Sequence, residues 1–297
     1  MNKSTLLFLS TLTAFTFCSC GDGEKSEEIE TVDSVTTEKP NVDNLSETFF
    51  QVPSPGEMLT FIKMVGGKNN NNVSFLNPVS NEKKYTDNKS KALNFGVYSC
   101  DLSYCSIFGI GSESLKYFKT VKGMGEEIGV STAIKPEVLK RIEANIGQPD
   151  SLALITDDVY FSTFEALEAG QQGATLSLVV AGGWLESIYI ATNLAKYEEK
   201  SPLIDRLADQ KYTLENLIDF LKKYDSDANV VAVKTDFEGL LLEFNKIGEK
   251  DVEKINSKKA NTTAMLGGGK QLVITKEIYD SISAKIKTIR NSYTLTK

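Results

Sequence analysis

The sequence has no histidine and only three arginines, at 141, 206 and 290, in 297 residues. The first absence excludes Ser-His-Asp and Cys-His catalysis, HExxH zinc sites and proximal-histidine haem. It also excludes the usual di-iron helical bundle, which needs Glu-x-x-His. The second leaves no arginine cluster for phosphate. Lysine and arginine number 33 against 40 acidic residues, for a formal charge of −7, so nucleic acid is not an expected partner. Gly267-Gly268-Gly269-Lys270 lacks the first glycine of a P-loop and is followed by Gln271 where Ser or Thr is required. It reads as a hinge. No cofactor and no metal are expected. What the chain does have is 41% apolar residues, enough to bury a substantial core.

The N-terminus reads as an address. Lys3 precedes an uncharged apolar run from Leu6 to Phe17, the pattern of a secretory signal and too short to span a bilayer comfortably. Phe17-Cys18-Ser19-Cys20-Gly21 resembles the lipobox of bacterial lipoproteins, with Ser19 as the small residue and Cys20 as the lipidated one. Phe17 departs from the usual aliphatic residue. Cys18 is a rival acceptor, but Phe17 is too bulky for its cleavage position. Loss of residues 1–19 removes Lys3 and takes the charge from −7 to −8. Acyl chains such as palmitate on Cys20 then give about 0.8 kcal/mol of membrane affinity per CH₂. By resemblance to Gram-negative lipoproteins, Gly21 in place of aspartate implies the outer membrane. Asp22, Glu24, Glu27 and Glu28 are similar to the acidic tethers of surface-exported lipoproteins, and the leaflet, periplasmic or surface-facing, stays open. Residues 20–52, rich in Glu, Ser and Thr, are expected to form a flexible acidic tether, and residues 53–297 a helical domain.

Ser54-Pro55-Gly56-Glu57 is a capping box that opens a short helix to about Val65, closed by Gly66 and Gly67. Residues 68–90, with asparagines at 69–72, read as a loop. Helices are expected near 90–108, 113–128, 136–146, 151–169, 173–197, 201–209, 213–224, 228–247 and 275–293. Three stripes carry the period: Leu214, Leu217, Ile218 and Leu221; Val230, Val233, Phe237, Leu240 and Phe244; and Ile278, Ile282, Ile286 and Ile289. Residues 250–272 break the pattern, with a short strand at 271–274. The fold class is all-α, a bundle of antiparallel helical hairpins.

Two helices, 90–108 and 173–197, are apolar or small all round, which makes them central. Gly96, Cys100 and Ser103 form one small-residue stripe, and Ser177, Ala181, Gly182 and Gly183 another, so close helix–helix approach is expected. The second is long enough to raise a membrane span, which Glu186 at its middle opposes. Asp101-Leu-Ser-Tyr104 overlays Glu186-Ser-Ile-Tyr189, which suggests two related halves offset by about 85 residues. Cys100 and Cys105 lie about 7.5 Å apart along one helix and on different faces, so they should be buried free thiols.

The acid-x-x-Tyr spacing recurs at Asp157 and Tyr160. Composition predicts about 1.5 such pairs and there are five, of which three sit in apolar helices. At this spacing both side chains share a helix face. Asp101, Tyr104, Asp157, Tyr160, Glu186 and Tyr189, with Trp184 nearby, are therefore the candidate ligand-binding residues. They fit acid/base groups, oxygen ligands for a hard cation, or polar contacts in an apolar pocket. They also fit a structural role, as buried carboxylates satisfied by tyrosines, helix N-termini or lysines.

The segment LNFGVYSCDLSY (93–104), then Tyr117-Phe-Lys, Ile128-Gly, Gly-Gly-Trp184-Leu-Glu186 and Tyr189-Ile-Ala-Thr192, resembles uncharacterised all-helical lipoproteins of Bacteroidota-type bacteria. The resemblance spans roughly residues 50–297. It implies an all-helical fold and an envelope location, and it carries no activity and no functional residues. The expected function is a membrane-anchored envelope lipoprotein with a non-catalytic role, binding an envelope protein or a small ligand. The alternatives are a carboxylate-based envelope enzyme acting on a glycan or with a divalent cation, and a structural component of an envelope assembly. Convergence of the carboxylates on one open pocket favours an enzyme or small-ligand binder. Their burial, with an exposed apolar patch, favours a scaffold.

Overall fold

The computed structural model describes residues 52–66, 71–251 and 270–295. The expected signal segment 1–19, Cys20, the expected tether up to residue 51 and the Gly267–Gly269 run lie outside the described residues. Val52, assigned above to the tether, belongs instead to the core, with 4% of its surface exposed.

Nine α-helices occur among the described residues: α1 (Pro55–Gly66), α2 (Asn88–Ile107), α3 (Gly111–Glu127), α4 (Pro136–Ala144), α5 (Pro149–Ala169), α6 (Gly173–Leu194), α7 (Pro202–Lys222), α8 (Ala228–Phe244) and α9 (Lys276–Thr294). Their starts follow local chemistry. Proline opens α4, α5 and α7, where its missing N–H costs nothing. Asp87, Asp227 and Thr275 cap α2, α8 and α9 by accepting from backbone N–H groups at 2.9, 2.8 and 3.4 Å. Ser54 Oγ accepts from Glu57 N at 3.3 Å, as the capping box requires. Gly109, at φ +76°, turns the chain from α2 into α3, a conformation that disfavours any residue with a Cβ.

The fold is all-α, built from antiparallel helical hairpins, and its order repeats. In the first half α2, α3, α4 and α5 pack in a ring, each on the next and α5 back on α2. In the second half α6, α7, α8 and α9 do the same. The halves meet chiefly through their first helices, α2 on α6. Gly96 and Gly182 make this possible. A Cβ on Gly96 would stand 2.0 Å from the Val179 carbonyl oxygen, and one on Gly182 2.0 Å from that of Leu93. The glycines of the small-residue stripes are thus where the two backbones touch. Leu93 lies beside Gly182 and, further along, Asp101 beside Glu186, so the two helices run in the same sense. An 18-residue window of α6 is apolar enough to cross a membrane, yet 89% of it is buried inside the bundle.

Several boundaries differ from the sequence reading; the helix expected over 173–197, for one, ends at Leu194. The helices expected at 201–209 and 213–224 are one helix, α7, because no proline or glycine breaks Asp209-Gln210-Lys211-Tyr212 and Gln210 is drawn into the core. The helix expected to reach 247 ends at Phe244, and Gly248–Asp251 instead forms a strand, β1. It pairs antiparallel with β2 (Lys270–Val273), in the region of the expected short strand, with Gly248 opposite Val273 and Asp251 opposite Lys270. The expected loop at 68–90 contains a 3-10 turn over Val79–Lys84, and its last residues already belong to α2.

Candidate functional site: a buried carboxyl pair and an open groove

The close α2–α6 crossing brings Asp101 and Glu186 together in the interior, both 0% exposed. Arg290 of α9 answers them. Its Nε and Nη2 each donate to a Glu186 carboxylate oxygen at 2.9 Å, a bidentate pair. Its guanidinium lies 4.5 Å from the centre of the Tyr189 ring, and Nη2 also reaches the Phe75 carbonyl at 3.4 Å.

One cation thus faces two carboxyl groups. Asp101 Oδ2 accepts from Asn77 N at 3.2 Å, while Oδ1 receives no donor. Burial and the neighbouring Glu186 push the Asp101 carboxyl well above the usual range, against the smaller opposing pull of Arg290. Burial and Glu186 thus favour the proton on Asp101. A proton on Oδ1 would turn the orphan acceptor into a donor, and the neighbouring Glu186 carboxylate offers an acceptor for it. The cluster is then neutral overall, one carboxylate against one guanidinium.

A polar network extends from it. Asn77 Nδ2 donates to Tyr85 Oη at 2.9 Å, and Asn81 Nδ2 to Asn77 Oδ1 at 2.9 Å. Tyr117 Oη donates to the Asn77 carbonyl at 3.1 Å. Tyr85 Oη donates to the Thr294 carbonyl at 2.9 Å, and Asn94 Nδ2 to that of Tyr293 at 3.0 Å. These bonds tie the segment before α2 and the end of α9 to the central helix. Cys100 and Cys105 beside it are free and buried, and burial pushes both thiols up.

The other residues singled out above are placed elsewhere. Tyr104 is fully buried and donates to the Asn72 carbonyl at 3.0 Å. Trp184 donates from Nε1 to Gln210 Oε1 at 3.1 Å and packs on Phe237. Tyr160 is 7% exposed, and burial pushes its hydroxyl up. The structure thus brings together Asp101, Glu186 and Tyr189, and leaves Asp157 apart from them.

Asp157 is half-buried on α5, where its Oδ1 fills the space that a Cβ on Gly56 would take, 2.4 Å away. Burial, then Glu57 and Asp158, push its carboxyl up to about 6. It lines an open groove of about 580 Å³ between α1, the end of α2 and α5. Met64, Ile107, Pro149, Ala153 and Leu154 supply the apolar walls, and Thr60, Lys63, Asp150 and Asp157 the polar groups. Met64 is 77% and Leu154 68% exposed, so the walls face solvent. Lys63 donates from Nζ to the Ile107 carbonyl at 2.6 Å, where its charge suits the C-terminal end of α2.

Sequence reasoning missed Arg290 and the groove. Arg290 had a signal: it follows Ile289 directly and lies four residues after Ile286, on the edge of a buried stripe and close to the chain's end. Among the described residues no group of three or more cysteine, aspartate or glutamate side chains could hold a metal ion. No protein-family model, curated protein or solved structure matches the chain.

Proposed function

We propose that this chain is a lipid-anchored outer-membrane lipoprotein of a Gram-negative envelope, fixed through Cys20, whose helical body binds a ligand or partner without catalysing a reaction. The anchor rests on the lipobox resemblance at Ser19-Cys20. The observation that carries the binding role is the open apolar groove flanked by exposed Met64 and Leu154. Large apolar side chains left in water at the edge of a concave surface suit a binding site of the usual 300–1,000 Å³. The non-catalytic part of the reading is supported by the fate of the central carboxyls. Asp101 and Glu186 are sealed and answered by Arg290, out of reach of any substrate.

A photo-cross-linker at Leu154, in cells that also take up an alkyne-tagged palmitate, tests both halves. The expected result is palmitate label lost in C20A, and a discrete cross-link at 154 that is absent when the cross-linker sits on exposed Lys140. Label that persists in C20A sinks the anchor, and identical cross-links at both positions sink the groove.

A second reading, a carboxylate-based enzyme, draws on Asp157 alone. A carboxyl raised to about 6 beside a groove has the properties of a general acid near neutrality. Hydrolysis of an envelope glycan lost in D157N but kept in D101N would favour it.

A further inference from the structure

We infer that the groove between α1 and α5 takes a small organic cation, a protonated amine on a short apolar chain, with its ammonium on the Asp157 carboxylate and its chain between Met64 and Leu154. The inference rests on the groove being a binding site and names what it binds.

The argument begins with Asp157, a half-buried carboxylate that makes no hydrogen bond or ion pair among the described residues. Such a group is costly unless something pairs with it. Its neighbours make matters worse. Glu57 on the first turn of α1 and Asp158 beside it on α5 both repel its charge. Asp150, in the first turn of α5, adds a further carboxylate to the same groove. Among the described residues the one cation lining it, Lys63, is held on the Ile107 carbonyl. Arg141, across α5, pairs with Asp158 at 3.2 Å and lines a different hollow. Among the described residues the groove therefore presents an acidic end without a matching cation and walls that are mostly apolar. An ammonium with a hydrocarbon chain satisfies both, whereas a carboxylate ligand meets repulsion and a neutral one leaves Asp157 unpaired. Gly56 keeps this possible, since any side chain there would collide with the Asp157 carboxylate.

The test uses the chain from Cys20 onward, made without acyl groups, with hexylammonium, hexanol and hexanoate as probes. Methyl NMR of Met64 and Leu154 reports occupancy of the groove, and calorimetry gives affinity. The expected result is that hexylammonium shifts both methyl signals and binds about tenfold more tightly than hexanol, with hexanoate weaker still. D157N should abolish the advantage of the amine and leave hexanol unchanged. L154K, which supplies an ammonium three residues before Asp157 at an exposed position, should block hexylammonium while leaving the carboxylate in place. Equal binding of hexylammonium and hexanol, with or without Asp157, overturns the cation and leaves the groove standing. Failure of all three probes to move either methyl overturns the cation and the groove together.

Discussion

Arg290 holds Glu186 through two 2.9 Å hydrogen bonds across 104 residues of sequence, with the guanidinium 6% and the carboxylate 0% exposed. The pair joins the last helix to the second central helix, and Asp101 is the third party. Removing the cation leaves a buried carboxylate with no counter-charge, which costs about 3–5 kcal/mol. R290M should therefore lose about that much in urea unfolding. E186Q should lose less, because Asp101 can then release its proton and supply the carboxylate that Arg290 needs. Equal losses in the two variants would show that Asp101 does not share the charge.

Asp101 itself makes an unusual candidate for replacement. If it is protonated in the folded chain, asparagine is its near-isostere: an oxygen for Asn77 N–H and an N–H for Glu186. D101N should hold stability within about 1 kcal/mol of the parent near neutral pH, or raise it. The sign with pH follows from linkage. A carboxyl raised above its unfolded value of 3.8 binds a proton more tightly when folded. Its contribution is complete below the unfolded value and declines as pH rises toward the folded one. The stability of the parent relative to D101N should thus fall as pH rises above the unfolded value of 3.8. A difference that is flat, or grows, with pH would mean that Asp101 is ionised in the fold.

The α2–α6 crossing depends on the absence of two methyl groups. G96A would set a Cβ 2.0 Å from a backbone carbonyl that cannot move without its helix. Overpacking of this kind costs about 1–3 kcal/mol, and G182A should behave alike. G66A is the control, since a Cβ there meets nothing within 4 Å and should change stability by less than about 0.5 kcal/mol. Melting temperatures separate the cases, and equal values for G96A and G66A would disprove the tight crossing.

The fold was more legible than the site, and the reason is range. All the residues of the Leu214 and Val230 stripes are buried, as their period required, because a helix repeats its own face every few residues. The glycine stripes predicted close approach, and that is where the two central helices meet. What no local pattern carries is a partner. Arg290 and Glu186 are paired by the return of the chain at α9, and β1 is a strand because β2 lies beside it. The structural alternative expected tyrosines, helix N-termini or lysines to satisfy the buried carboxylates, and an arginine does. Met64 and Leu154 are apolar, yet tertiary packing leaves both in water. The groove they form is a property of how α1 and α5 are set together.

Asp157 shows the same logic at the surface, with a different balance of forces. Its carboxyl is raised from 3.8 to about 6 by burial and by Glu57 and Asp158. A raised carboxyl favours the folded state while protonated, so stability should fall as pH rises from about 4 to about 6 and level off above. D157N removes the titration and should stabilise the chain near pH 7.5 by about 1 kcal/mol, a figure reduced from the full linkage because the group is partly in water. Asp101 titrates in the same direction, so the assignment needs the double variant. D101N with D157N should be flatter in pH than either alone, and the two effects should add, because the sites share no hydrogen-bond partner. If D157N instead destabilises the chain near neutrality, the carboxylate has a favourable partner in the folded state. The groove would then already be charge-balanced, and the basis for an ammonium ligand would disappear with the pH effect.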